Sequence, residues 1–108
     1  MWSVESTTTV AGTGVPAACY TLSPTTDGHL FAHYSASSAA NVRGGHLHIV
    51  WDVASGRVEW SDVGTDDIGD TSALVTSVTY SAGVLTVYAA SSAGTWTVNM
   101  LVVASERG

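Results

Sequence analysis

The chain has 108 residues, of which 45% are hydrophobic and only 11% are charged, and its formal net charge is −6. This length fits one domain that buries a core without disulfides, so residues 1–108 are predicted to form a single domain. Three arginines, with no lysine, oppose nine carboxylates. That balance excludes the basic patch that nucleic-acid binding needs, and no apolar run is long enough for membrane insertion. The single cysteine, Cys19, excludes an intrachain disulfide.

Runs of alternating apolar and polar residues, separated by turn residues, predict eight strands. They cover residues 2–10, 17–22, 29–37, 45–53, 57–63, 74–80, 84–90 and 95–104. The segment 35–41 is helix-permissive but short and is predicted to be a loop, and an acidic loop is predicted at 64–71. From the fourth strand onward the order favours an antiparallel meander. The pattern therefore predicts an all-β, jelly-roll-like antiparallel sandwich of seven or eight strands.

Alternation also gives each strand two faces. Trp51 and Trp96 alternate with aliphatic residues, so both are predicted to lie in the core. The opposite face of the third, fourth and last strands carries histidines and further apolar residues. A strand that is apolar on both faces is covered by the core on one face and by a further layer or partner on the other. The second face is therefore predicted to pack against copies of the chain. The residues predicted at this interface are His29, Phe31, His33, His46, His48, Val50, Leu101 and Val103.

Several segments resemble small β-domains at the C-terminal tips of bacteriophage tail fibres and tailspikes. They are GGHLHIVWD at residues 44–52, VGTDDIGD at 63–70, GTWTV at 94–98, and the opening threonines 7–9 followed by residues 17–22. The resemblance implies a homotrimeric virion domain, the C-terminal part of a longer fibre or spike protein, located in the phage tail. It also implies host attachment, with a cell-surface glycan or protein as the receptor.

Two groups of residues are candidates for metal binding. In trimeric phage fibres and spikes, a His-x-His pair such as His46 and His48 can place six imidazoles around one iron. Asp66, Asp67 and Asp70 of the acidic loop, with Asp62 just before it, supply oxygen ligands of the kind calcium prefers, without the spacing of an EF-hand. The favoured interpretation is a sheet-surface or subunit contact for the histidines and turn-capping for the aspartates. The sequence therefore predicts no metal and no other cofactor.

Trp60, which shares a face with Val58, and Trp2, near the chain end, are the candidates for stacking against a ligand. The chain has no Gly-x-Ser-x-Gly elbow, and paired carboxylates occur only in the acidic loop, so no enzyme activity is predicted. Two alternatives to a fibre tip stay open: a carbohydrate-binding module of a secreted bacterial protein, and a capsid decoration protein. The former predicts a monomer with an exposed aromatic strip.

Overall fold

The computed structural model describes residues 2–106, except for the side chains of residues 65 and 106. Within this range the regular elements are strands, and no helix is long and apolar enough to cross a membrane. The all-β prediction is confirmed. The eight strands are β1 (Trp2–Val10), β2 (Ala17–Leu22), β3 (Gly28–Ser38), β4 (Asn41–Asp52), β5 (Arg57–Ile68), β6 (Leu74–Ser81), β7 (Val84–Ser91) and β8 (Trp96–Glu106).

The strands form two antiparallel sheets that pack as a sandwich. The larger sheet has the order β1-β8-β3-β4-β5 and the smaller has the order β2-β7-β6. As in a jelly roll, β1, β8 and β3 are neighbours in one sheet, and β2 and β7 are neighbours in the other. The pattern differs from a jelly roll in that β4 and β5 stay in the larger sheet beside β3. The hairpins β4–β5 and β6–β7 agree with the prediction. The continuous meander was wrong, because the chain changes sheets after β5 and again after β7.

Two predicted loops are largely strand. β3 and β4 meet in a tight turn at residues 39–40, where Ala39 has a φ of 51°, so the predicted loop at 35–41 is a hairpin. β5 continues to Ile68 and pairs Asp67 with Arg43, so most of the predicted acidic loop belongs to the sheet. A β-bulge after Gly64 inserts one residue and reverses the alternation beyond it. As a result, Asp67 shares the inner face of the sheet with Arg43.

The core lies between the two sheets and contains the residues that alternation assigned to it. Trp51 and Trp96 are both buried, as predicted, and the Trp51 indole N–H donates to the carbonyl of Thr26 at 2.8 Å. The larger sheet contributes Leu30, Leu47 and Ile49, which are fully buried. This burial supplies the main stabilisation, because each such side chain is worth about 1.5–3 kcal/mol when removed from water.

A polar network closes the sandwich where β5 meets β6. The Tyr34 hydroxyl of β3 donates to the Asp62 carboxylate of β5 at 3.0 Å, and the Thr76 hydroxyl of β6 donates to the same carboxylate. Beside it, the Arg43 guanidinium donates to the Thr71 carbonyl at 2.8 Å and to the Leu74 carbonyl at 2.9 Å. The network links the edge strand β5 of the larger sheet to the smaller sheet by hydrogen bonds. It also gives the buried Tyr34 hydroxyl a hydrogen-bond partner.

This network predicts a loss of stability at alkaline pH. Burial, followed by the neighbouring Asp62 carboxylate, raises the pKa of Tyr34 to about 12. Tyrosine in an unfolded chain has a pKa of about 10, so the folded state holds this proton more tightly. The contribution to stability is complete below about pH 10 and declines as the pH rises toward about 12. Denaturant unfolding of wild type and Tyr34→Phe across this range measures the effect. The decline should be smaller in Tyr34→Phe, and equal declines would contradict the assignment.

Candidate functional site

The eight residues predicted at a subunit interface lie together on the outer face, defined here as the surface of the larger sheet that points away from the smaller sheet. In the sheet register, Phe31 pairs with His48 and with Val103. His33 pairs with His46 and with Leu101, while His29 pairs with Val50. The eight residues therefore form one continuous surface across β8, β3 and β4, called the outer patch below. That copies of the chain pack against it stays a prediction.

The side chains of the outer patch are partly accessible and contact one another. Phe31, Val50 and Leu101 are 37%, 42% and 40% exposed, which is high for large apolar residues grouped on one surface. The Phe31 and His48 rings stack at a centroid distance of 4.4 Å and an interplanar angle of 8°. This stack fixes the His48 ring flat against its neighbour and makes the middle of the patch a single apolar and aromatic surface.

Polar residues surround the outer patch. One end of the outer face carries hydroxyl and amide groups, among them Ser35 and Asn99, which face each other across β3 and β8. Acidic residues on this face lie on the edge strands, with Glu5 on β1 and Glu59 and Asp66 on β5, and at the end of β4. An apolar centre within a polar rim is the arrangement found at protein–protein interfaces.

Val63 belongs to this surface although the sequence did not single it out. It pairs with His46 on the outer face and is 46% exposed. The signal that could have found it is the alternation of β5, in which Glu59, Ser61 and Val63 share one side. Val63 was predicted to be the last residue of that strand, next to an acidic loop, so the sequence did not indicate that the sheet surface continues past it.

The two tryptophan candidates lie at opposite edges of the larger sheet. Trp60, on β5, is 38% exposed and lines a shallow depression of about 250 Å³ together with His48 and Glu59. Trp2, on β1, is half-buried, and its indole N–H donates to the Tyr20 hydroxyl of β2 at 3.1 Å. Trp60 pairs with the buried Ile49, so its position lies on the inner face of the larger sheet at the open edge of β5, whereas Trp2 helps to close the far edge of the sandwich.

The four acidic residues weighed as a calcium site point in different directions. Asp62 faces the interior and accepts from Tyr34, and Asp67 lies 3.6 Å from the Arg43 guanidinium. Asp66 lies on the outer face. Asp70 accepts from the hydroxyl and the amide of Ser72, and these hydrogen bonds lower the pKa of Asp70. Of the four, Asp70 caps a turn, whereas Asp62 and Asp67 stabilise the sandwich edge.

The histidine pair weighed for iron is separated in the sheet. His46 and His48 share the outer face, but His48 stacks on Phe31 and the cross-strand partner of His46 is His33. The His33 and His46 rings lie 5.8 Å apart between centroids, with a tilt of 41°. Among the described residues, no group of three or more His, Cys, Asp or Glu side chains could hold a metal ion.

Comparison with known proteins supports the fold. No protein-family model and no curated protein matches the chain. Among solved structures, the tailspike protein of Acinetobacter baumannii phage AM24 superposes on 99% of the chain with a TM-score of 0.52 and 9% sequence identity. The chain spans 27% of the length of that tailspike protein. At this identity the similarity establishes a shared β-fold with part of a phage tailspike.

Proposed function

We propose that the chain is a non-catalytic domain of a phage tail fibre or tailspike that forms a homotrimer through its outer face and attaches the virion to a host receptor. The observation that carries the proposal is the similarity of nearly the whole chain to one part of a tailspike protein. A domain that corresponds to about a quarter of a larger spike is consistent with one part of a longer protein.

The size of the outer face favours its use as the subunit interface. Five strands about 4.8 Å apart, along the 11 residues of β3, give a face of roughly 24 by 35 Å, or about 800 Å². A stable interface of standard size buries about 800 Å² on each partner. Because each subunit of a trimer meets two neighbours, the whole face offers a subunit about the area of one standard interface, shared between two contacts.

The charge distribution points to the same surface. The chain carries a net charge of −6, so copies repel one another at most approaches. In the described part of β8, β3 and β4, the only carboxylate on the outer face is Asp52, at the end of β4. The outer patch is thus a surface on which copies can meet without opposing carboxylates.

The acidic side chains support a role in binding rather than catalysis. Asp62 and Asp67 are engaged with Tyr34 and Arg43 at the sandwich edge. Asp27 and Asp52 accept from the backbone amides of Val53 and Ala54 beside the β4–β5 turn. Each of these carboxylates has a partner that stabilises the fold, which accounts for its position without a catalytic role.

Receptor binding in this proposal is multivalent. The depression beside Trp60 is lined by Glu59 and Ser61 of the edge strand but also by His48 and Val50 of the outer patch, so the proposed assembly covers part of it. Three copies of a weak site for a cell-surface glycan or protein add avidity that a single copy lacks. Such a site suits a virion-borne domain, whose subunits are held together at fixed spacing.

Distances between spin labels test whether the outer face is the contact. Burial raises the pKa of the Cys19 thiol, so a cysteine introduced on the surface is labelled selectively. We place one label at Ser61, on the outer face, and another at Thr79, an exposed residue on the outer surface of the smaller sheet.

Labels at Ser61→Cys should be closer between copies than labels at Thr79→Cys by roughly 20 Å. In each copy Thr79 lies farther from the contact than Ser61 does, by at least the spacing of about 10 Å between two packed sheets. Pulsed dipolar spectroscopy measures both distances. Shorter distances at Thr79 would place the contact on the smaller sheet, and no dipolar coupling in either variant would show that the copies do not assemble. Either result contradicts the proposal.

A further inference from the structure

The outer patch contains a pair of imidazoles, those of His33 and His46, that face each other within one chain. The turn at residues 39–40 sets the β3–β4 register so that His33 and His46 face each other directly across the two strands. Directly paired residues have Cβ atoms about 4.5–5.5 Å apart, close enough for two imidazoles to share one ligand. We propose that His33 and His46 form a two-histidine site for a divalent transition-metal ion such as Zn²⁺ or Ni²⁺.

The ring positions fit a shared ion. A zinc–nitrogen bond of about 2.0–2.1 Å places each imidazole centroid roughly 3.2 Å from the metal. Two rings at a tetrahedral angle then have centroids about 5.2 Å apart, and a wider angle brings this to nearly 6 Å. The observed separation is 5.8 Å. Small side-chain rotations bring both rings to a common ion without moving the backbone.

The other histidines of the outer patch are less suitable. His46 and His48 are two residues apart on one strand, which separates their attachment points by about 6.8 Å. The His48 ring is also stacked on Phe31, and coordination would have to break that contact. His29 pairs with Val50 on β4 and with Ser105 on β8. The direct cross-strand pair is therefore the one arrangement in the patch that presents two imidazoles to the same point.

The residues beside the pair are apolar, and the attraction for a cation comes from the charge of the chain as a whole. His33 lies beside Leu101 and His46 lies beside Val63, so apolar side chains flank both rings. The net charge of −6 raises the local concentration of cations near the protein. Imidazole suits zinc, nickel and copper, and water completes the coordination of an ion held by two protein ligands. Both ligands come from one chain, so a single chain is sufficient to form the site, although both histidines lie in the outer patch that the proposed trimer covers.

Calorimetric titration of tag-free protein with ZnCl₂ and, separately, NiCl₂ tests this site. Wild type should bind up to one ion per chain, and His33→Gln and His46→Gln should each lose that binding. His29→Gln is the matched control, since it removes an exposed histidine from the same face of β3 and should bind as wild type does. Thermal unfolding without metal establishes that the variants are folded.

Two results would overturn the site: the absence of binding to wild type, and undiminished binding in His33→Gln. Retention in His33→Gln together with loss in His48→Gln would assign the metal to the His-x-His pair of β4 instead. Because these histidines lie in the outer patch, sedimentation of each variant is compared with that of wild type, so that a change of oligomeric state is distinguished from a loss of metal ligands.

Discussion

Replacing Leu101 with aspartate should convert the proposed trimer into monomers while leaving the sandwich folded. Leu101 lies in the outer patch between Glu5 of β1 and His33 of β3, and it is 40% exposed in the single chain. In the trimer the new carboxylate would be buried without a partner, which costs about 3–5 kcal/mol. A cost of about 3 kcal/mol weakens association more than a hundredfold. Sedimentation velocity of wild type and variant at the same concentration measures the change.

The folded state itself should be little affected by this substitution. Leu101 points away from the core, and the principal new interaction is repulsion from Glu5, worth up to about 1 kcal/mol. Thr79→Asp is the matched control, because it adds the same charge to an exposed strand position on the smaller sheet. The control should sediment as wild type does. A trimer that persists in Leu101→Asp, or that is lost equally in Thr79→Asp, would exclude the outer patch as the interface.

Replacing Gly45 with alanine should destabilise the fold by about 2 kcal/mol or more. A Cβ atom at this position would lie 2.9 Å from the Tyr34 ring and hydroxyl and 2.9 Å from the carbonyl oxygen of Val63. The Tyr34 ring is buried, and its hydroxyl is held by Asp62. Neither the ring nor the β5 backbone can move aside without breaking the network at the sandwich edge. Urea unfolding at neutral pH measures the loss.

Gly64 provides a control in the same row of the sheet. It pairs directly with Gly45, yet a Cβ atom there would meet no other atom within 4 Å. Gly64→Ala should therefore be neutral or slightly stabilising, since alanine costs less backbone entropy than glycine in a strand. Equal destabilisation by the two substitutions would show that strand glycines matter for a reason other than the space that Tyr34 occupies.

The faces of the strands could be predicted because burial and alternation agree. In β3, Leu30 and Tyr34 alternate strictly with Phe31 and His33, and a period of two leaves one assignment once the core side is known. The eight outer-patch residues followed from this pattern alone. Their arrangement as one surface needed the further fact that β8, β3 and β4 are neighbours.

The features that were missed depend on register and topology. Alternation is weak in the glycine-rich start of β4 and in the acidic end of β5, so both strands were predicted too short. The bulge that turns Asp67 inward toward Arg43 has no mark in the sequence. Likewise, His33 faces His46 only because the hairpin turns at residues 39–40. The sequence contains these residues but does not specify which of them meet across strands.

The mass of the wild-type chain in solution tests the central claim most directly. Sedimentation equilibrium of tag-free protein, over a range that includes micromolar concentrations, should give three times the chain mass of 11.1 kDa, or about 33 kDa. This result is expected because the outer face offers the area for packing, and the outer patch at its centre is free of carboxylates. A mass of 11.1 kDa throughout the range would contradict assembly through the outer face. It would instead favour a free-standing binding module.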